Sequence, residues 1–298
     1  MEKRLILTIS IIIVIVAITA IYFVQSLVLP TTRIRVTTTT SLYATDLLNY
    51  LADEFAKTHK GVSFDFIPVG SGEALRRAEL GDACMVFVHA PSLEKEYIAK
   101  GIITNQKIFA YNYFIIAGPP SDPAKVRDAS NPIDVFKRLY RAGENGEALF
   151  ISRGDNSGTH VKELSLWSKA ELNPRGKQWY RETGSGMGNT LLVANEKKAY
   201  VLSDIGTYLK FKKEGKLPDL EILYENGMEL INIYSVYLVF SCKNPEKQLA
   251  MEFMNFISRD AQELIAKYKV KELGQPLFNP AKDDLDRLRK AWEKLAAS

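Results

Sequence analysis

With 298 residues, 46% apolar and 25% charged, the chain has an ordinary globular composition and enough length for one large or two medium domains. A formal net charge of +4 is a small excess for this length, and no Lys/Arg cluster has the footprint of a nucleic-acid binder, which excludes that partner class. Three histidines and two cysteines occur without H-E-x-x-H, Cys-x-x-Cys or acidic metal spacing, which excludes the common metal-centre signatures.

After MEKR, residues 5–24 (LILTISIIIVIVAITAIYFV) are an unbroken apolar run of about twenty residues, enough to cross a bilayer as a helix. Lys3 and Arg4 precede it, so the tip is expected in the cytoplasm and the body outside. A cleaved secretory signal would have a shorter core and a small-residue cleavage site. No A-x-A follows here, so an uncleaved signal anchor is expected. No cysteine just after the run could carry a lipid, and the cytoplasmic tail is too short for a signalling module. The expected location is a single-pass cell-membrane protein, with residues 1–33 as tip, anchor and tether.

The body alternates short apolar runs with helical periodicity, the pattern of an α/β protein. Residues 34–38 (IRVTT) read as a strand, then Leu47, Leu48, Leu51 and Phe55 recur at helical spacing. Residues 62–69 (VSFDFIPV) read as a strand ending in Gly-Ser-Gly before a helix at Glu73, and 85–89 (MVFVH) as a strand before a helix from Ser92. Residues 111–117 read as a strand. Asn131 and Pro132 read as an N-cap and first helical residue. Residues 148–152 (ALFIS) form a strand and 161–170 a helix. The segment WYRETGSGMGNTLLVANEKKAYVLSD gives helix, glycine-rich loop, helix and strand. A long strand spans 231–242, and 283–297 is an amphipathic helix. This order predicts two α/β lobes, one from 34–112 and 225–298, the other from 113–224, with a ligand cleft between them. Cys84 and Cys242 lie in apolar strand-like contexts. Buried free thiols are the expected state, with a long-range disulfide as the alternative.

Three loops share one layout, in which a strand ends, hydroxyl and glycine residues follow, and a helix begins: TTTTS (37–41), GSG (70–72) and RGDNSGT (153–159). Hydroxyls and free N–H groups at helix N-termini favour anions. Each loop alone reads as an ordinary N-cap. Three in one chain, on both predicted lobes and one with an arginine, converge on an anion site. No G-x-x-x-x-G-K-[ST] occurs. The GSGMG at 184–188 lacks the third dinucleotide-fingerprint glycine and follows a segment read as helical, and Leu75 stands where a third glycine would follow GSG, so nucleotide binding is not expected.

A hydrolase would need Ser157 or Ser152 as nucleophile, His160 as base and Asp155 as acid. There is no G-x-S-x-G elbow, and a base three residues from its nucleophile is an unusual arrangement. Asp155 is better suited to hold Arg153 by a bidentate pair. No catalytic residue is therefore assigned and the chain is not read as an enzyme. His59 is expected solvated, while His89 is either structural or cleft-lining.

SRGDNSGTHVKELSLW (152–167), WYRETGSGMGNTL (179–191), AYVLSDIGTYL (199–209), VHAP (88–91), TTTS (38–41) and GSGEAL (70–75) resemble the TupA-type tungstate-binding proteins, the solute receptors of ABC importers. The resemblance runs in the same order from about Thr37 to Phe278. It implies a two-lobed periplasmic-binding-protein-like fold of class II, tungstate or molybdate as ligand, no other cofactor, an ABC permease as partner and a monomer. Phosphate or sulfate on the same fold is the alternative. Matched residue by residue, it implies Thr39, Ser41, Ser71, Arg153 and Thr159 at the anion, with Ser157 and Gly158 close by and GSGMG closing over the ligand. The chain departs from the family in Ala44, Thr45 and Asp46, where an acidic residue and Ser-Gly are usual, and in Cys84, where an acidic residue is common.

Overall fold

The computed structural model describes residues 31–297 other than Asn226 and Gln275. The apolar run at 5–24, and with it the expected transmembrane helix, lies outside the described residues. Among the described residues, no helix is long and apolar enough to cross a membrane.

The first lobe starts with β1 (Thr32–Thr39), α1 (Thr40–Ala44), α2 (Leu47–Ala56), β2 (Val62–Val69), α3 (Ser71–Glu79), β3 (Met85–Val88) and α4 (Pro91–Ala99). A 16-residue strand, β4 (Ile103–Gly118), then carries the chain into the second lobe. There it builds α5 (Pro132–Glu144), β5 (Phe150–Ser152), α6 (Gly158–Lys169), β6 (Tyr180–Glu182), α7 (Met187–Lys197), β7 (Tyr200–Asp204), α8 (Ile205–Lys213) and β8 (Glu221–Tyr224). The chain returns through β9 (Ile231–Val239) to α9 (Glu246–Asn255), α10 (Gln262–Lys267), α11 (Val270–Leu273), β10 (Asn279–Pro280) and α12 (Leu285–Ala296).

The strand order is β2-β1-β3-β9-β4-β7-β5-β6. β1 pairs in parallel with β2 and β3, and β9 runs antiparallel between β3 and β4. The first part of β4, to Tyr113, pairs with β9, and its end, from Phe114, pairs with β7 and β8. Both lobes therefore hang on one continuous strand. Helices cover both faces of the central strands, which is why every residue of β9 is buried and its sequence is apolar without strict alternation. In the first lobe Ile34, Val36, Leu48, Leu51, Phe55 and Phe253 form a core, with the Phe55 and Phe253 rings 5.2 Å apart, edge to face. The second lobe packs Phe136, Phe150 and Tyr180 around Trp167.

The predicted elements are present, with several differences. α2 buries Leu47, Leu48, Leu51 and Phe55, the four residues picked out by spacing. Asn131 caps α5 by accepting from Asp134 N at 2.9 Å. Residues 180–182 are strand β6 rather than helix, because Tyr180 pairs in parallel with Phe150 and their side chains stack. GSGMG therefore follows a strand, and only its missing third glycine still argues against the dinucleotide fingerprint. Cys84 and Cys242 are not free thiols but a disulfide. β3 and β9 are antiparallel neighbours, and the turn after Val239 brings Cys242 back over Cys84 at a Cα separation of 4.8 Å. His59 is not simply solvated, since its ring stacks on Phe55 at 3.7 Å.

Candidate functional site

The three hydroxyl-rich loops stand at the carboxyl ends of β1, β2 and β5 and lead into helices, the position where open α/β sheets bind ligands. They meet across the gap between the lobes. Gly72 N donates to Asn156 O at 3.4 Å, and a Cβ on Gly72 would sit 2.4 Å from Asn156 Nδ2. A Cβ on Gly70 would lie 3.2 Å from Asp155 O, and one on Gly158 would lie 2.8 Å from His89 Cε1. Backbone from one lobe thus rests directly on the other, and a side chain at 70, 72 or 158 would hold them apart. Gly186 of GSGMG takes part as well, its Cβ position being 3.4 Å from Thr40 Oγ1.

Arg153 lies at the centre. It is 1% exposed, and its Nη2 donates to Asp155 Oδ2 at 2.6 Å and to Thr40 Oγ1 at 3.0 Å, tying the second lobe to α1. The pair with Asp155 is not bidentate. Asp155 Oδ1 accepts instead from Ser157 N at 3.2 Å, because the loop folds back on its own carboxylate with Gly154 at φ 63° and Asn156 at φ 53°. Nε and Nη1 of Arg153 are consequently buried without a protein partner. The hydroxyls of Ser71, in the first turn of α3, and Thr159, in the first turn of α6, are likewise buried and unpaired. Native proteins rarely bury polar groups unpaired, and these are donors of the kind that an anion satisfies.

The other candidates divide. Ser157 is the N-cap of α6, its hydroxyl accepting from His160 N at 3.3 Å. Gly158 supplies the close approach to His89. Thr39 caps α1 by accepting from Leu42 N at 3.3 Å and lies 3.4 Å from Ser41 Oγ, which in turn lies 3.3 Å from His89 Nε2. Thr38, within TTTS but not picked from the sequence, has a buried unpaired hydroxyl on the strand face shared with Ile34 and Val36. Thr40, also missed, is the acceptor for Arg153; a threonine run gave no signal as to which hydroxyl would do this. His89, structural or cleft-lining by its sequence context, is buried where Gly158 of the second lobe meets the first, with Asn232 and Ser41 as its partners.

Ser157 and His160 do not form a nucleophile and base. The His160 ring accepts from Asn156 N through Nδ1 at 3.0 Å, and its Nε2 points toward Glu182 at 3.8 Å. Ser152 is buried beside Glu163 and Tyr180 inside the second lobe. Burial, reinforced by the nearby Arg153 charge and opposed by Asn232, lowers the His89 pKa to about 4, so the ring is neutral at neutral pH. Burial also lowers Lys162 to about 7. Among the described residues no group of three or more His, Cys, Asp or Glu could hold a metal ion. The arrangement suits one small anion that accepts hydrogen bonds.

A family model described as the PBP superfamily domain matches residues 29–261. The tungstate-binding protein TupA of Peptoclostridium acidaminophilum is 39% identical over 246 residues, covering 82% of this chain and 84% of that protein. Among solved structures, the tungstate-binding protein TupA of Desulfovibrio alaskensis G20 has a TM-score of 0.69 at 37% identity, over 85% of this chain and 99% of that one. The tungstate ABC transporter structure from Geobacter sulfurreducens has a TM-score of 0.69 at 41% identity, over 79% and 98% of the two chains.

Proposed function

The chain belongs to the TupA-type tungstate-binding proteins of the PBP superfamily, and we propose that it captures tungstate, or the like-shaped molybdate, outside the cytoplasm and delivers it to an ABC permease. The observation that carries this reading is the buried Arg153 guanidinium with Nε and Nη1 unpaired, together with the unpaired Ser71 and Thr159 hydroxyls on loops whose backbones meet between the lobes. Thr39, Ser41, Ser71, Arg153 and Thr159 supply the donors, Ser157 and Gly158 shape the loop, and GSGMG covers it. Tungstate and molybdate are tetrahedral dianions without a proton at neutral pH, so they accept from every side. Hydrogen phosphate needs an acceptor. Both oxygens of Asp155, the loop's carboxylate, already accept N–H groups, which favours the unprotonated anion.

Binding and closure follow one logic. Donors preorganised in a site of low dielectric strengthen electrostatically, and the anion stabilises the arrangement in which both lobes touch it. A closed monomer then docks on the permease and releases the anion as the lobes part. The apolar run at 5–24 serves as an uncleaved single-pass anchor that keeps the receptor at the outer membrane face. Competition calorimetry with tungstate, molybdate, sulfate and phosphate tests the ligand assignment. Tungstate or molybdate should bind far more tightly than the other two, and tight phosphate or sulfate binding would replace this reading with a receptor of the same fold for that anion.

A further inference from the structure

Thr39 and Ser41 belong to a hydrogen-bond chain whose direction is set from the asparagine end. At one end the Leu42 N–H, which can only donate, reaches Thr39 Oγ1. At the other, Asn112 Nδ2 donates to the Leu277 carbonyl at 3.3 Å, and a carbonyl can only accept. Asn112 Oδ1 therefore faces Asn232 and accepts from its Nδ2 at 3.0 Å, which turns Asn232 Oδ1 toward His89 Nδ1 at 2.9 Å. The two asparagines are directly paired across β4 and β9, so neither can shift without the other. His89 Nδ1 must carry the proton. On a neutral imidazole Nε2 is then an acceptor, and the hydrogen it takes is that of Ser41. Thr39, Ser41, His89, Asn112 and Asn232 are all buried, so water cannot make up a missing partner.

With neutral His89, Ser41 spends its proton on Nε2, so the contact between the two hydroxyls is donated by Thr39 and neither proton is left for a ligand. With a second proton on Nε2, the imidazolium donates to Ser41 Oγ and the Ser41 proton is released toward the ligand. Charge points the same way. Asp155 already neutralises Arg153, so a dianion in the clamp adds two uncompensated negative charges. We infer, resting on the proposed function, that binding of an unprotonated tetrahedral dianion is coupled to uptake of one proton at His89 Nε2, which releases the Ser41 proton toward the anion. His89 acts through Ser41 and is a positioning residue.

The surroundings of His89 make it responsive to the anion. From the arginine loop Arg153 opposes a proton and Asp155 favours it, and from α6 Lys162 opposes it. β9 contributes neutral Asn232 and the Tyr234 ring at 4.9 Å, and β4 the Phe114 ring at 6.3 Å. Glu94 of α4 is committed to Ala90 N, Tyr237 and Trp292. The free protein holds His89 at about 4. A dianion raises this, so uptake occurs at pH values above about 4 and below the pKa in the complex. Within that window affinity rises as pH falls, by up to about tenfold per unit.

The test is calorimetric titration of the protein with tungstate between pH 6.5 and 8.5, in phosphate-free buffers of different ionisation enthalpy. Proton uptake of up to one per anion, growing as the pH falls and accompanied by tighter binding, is expected. Uptake should persist in Lys162→Met and in Glu163→Gln, which remove the two neighbouring groups that burial brings to about 7. His89→Gln removes the titrating ring, so it should bind tungstate without uptake. Tungstate binding without buffer-dependent heat and with a flat pH profile would overturn the coupling, as would loss of uptake in Lys162→Met or Glu163→Gln alone. Absence of any tungstate binding would overturn the functional reading first, and this inference with it.

Discussion

Arg153 keeps a full charge at 1% exposure with one of its three guanidinium nitrogens bonded to protein. Burying a charge costs several kcal/mol unless it is paired and hydrogen-bonded, and here the pairing is partial. Arg153→Met is therefore expected to leave the melting temperature of the anion-free protein unchanged or higher. It should also weaken tungstate binding by at least about 30-fold, since truncating one partner of a buried charge pair costs about 2–5 kcal/mol. Equal affinity in the variant, by titration, would remove the guanidinium from the site. Hydroxyl variants separate ligand donors from caps. Ser71→Ala and Thr159→Ala delete unpaired hydroxyls and should cost about 1 kcal/mol of binding each, roughly fivefold, with little loss of stability. Ser157→Ala deletes a cap and should cost about 1 kcal/mol of stability instead, read by denaturant unfolding. The residue types were legible in the motif R-x-D-x-S-G-T. Which oxygen of Asp155 would serve Arg153 was not, because that depends on the left-handed turn at Gly154 and Asn156.

At the scale of elements, hydrophobic periodicity located the helices well where one face is buried, as in α2 and α5. It misread residues 180–182, since a three-residue strand has no period of its own and exists only because β5 lies beside it. The same limit hid the disulfide, because 158 residues separate its ends in sequence while β3 and β9 make them neighbours. Asp46, at the junction of α1 and α2, adopts φ 68°, and its short polar side chain tolerates that region as few others do. Breaking the disulfide, by Cys242→Ser or by reductant, should cost about 2–5 kcal/mol of stability. Its sulfurs lie at the far end of β3 from His89, so tungstate affinity should change little. A large affinity loss on reduction would mean that the bridge positions the cleft.

At the scale of the molecule, both lobes share β4, and the gap between them is spanned by glycine-to-backbone approaches and by Arg153 reaching Thr40. The alternation of strands and helices made a two-lobed α/β fold legible in the sequence. The inter-lobe contacts were not, because they join residues such as Gly72 and Asn156 that no local pattern links. An anion bridging the lobes stabilises only the folded, closed form. At a hundredfold excess over Kd that amounts to about 2.7 kcal/mol, a rise in melting temperature of roughly 5–10 °C. The most direct test of tungstate capture is the elemental content of the protein, by mass spectrometry, after exposure to equimolar tungstate, molybdate, sulfate and phosphate and removal of free anion. About one tungsten, or tungsten and molybdenum together, per chain is expected, and neither in Arg153→Met. Retention of phosphate or sulfate in their place, or of no anion at all, would contradict it.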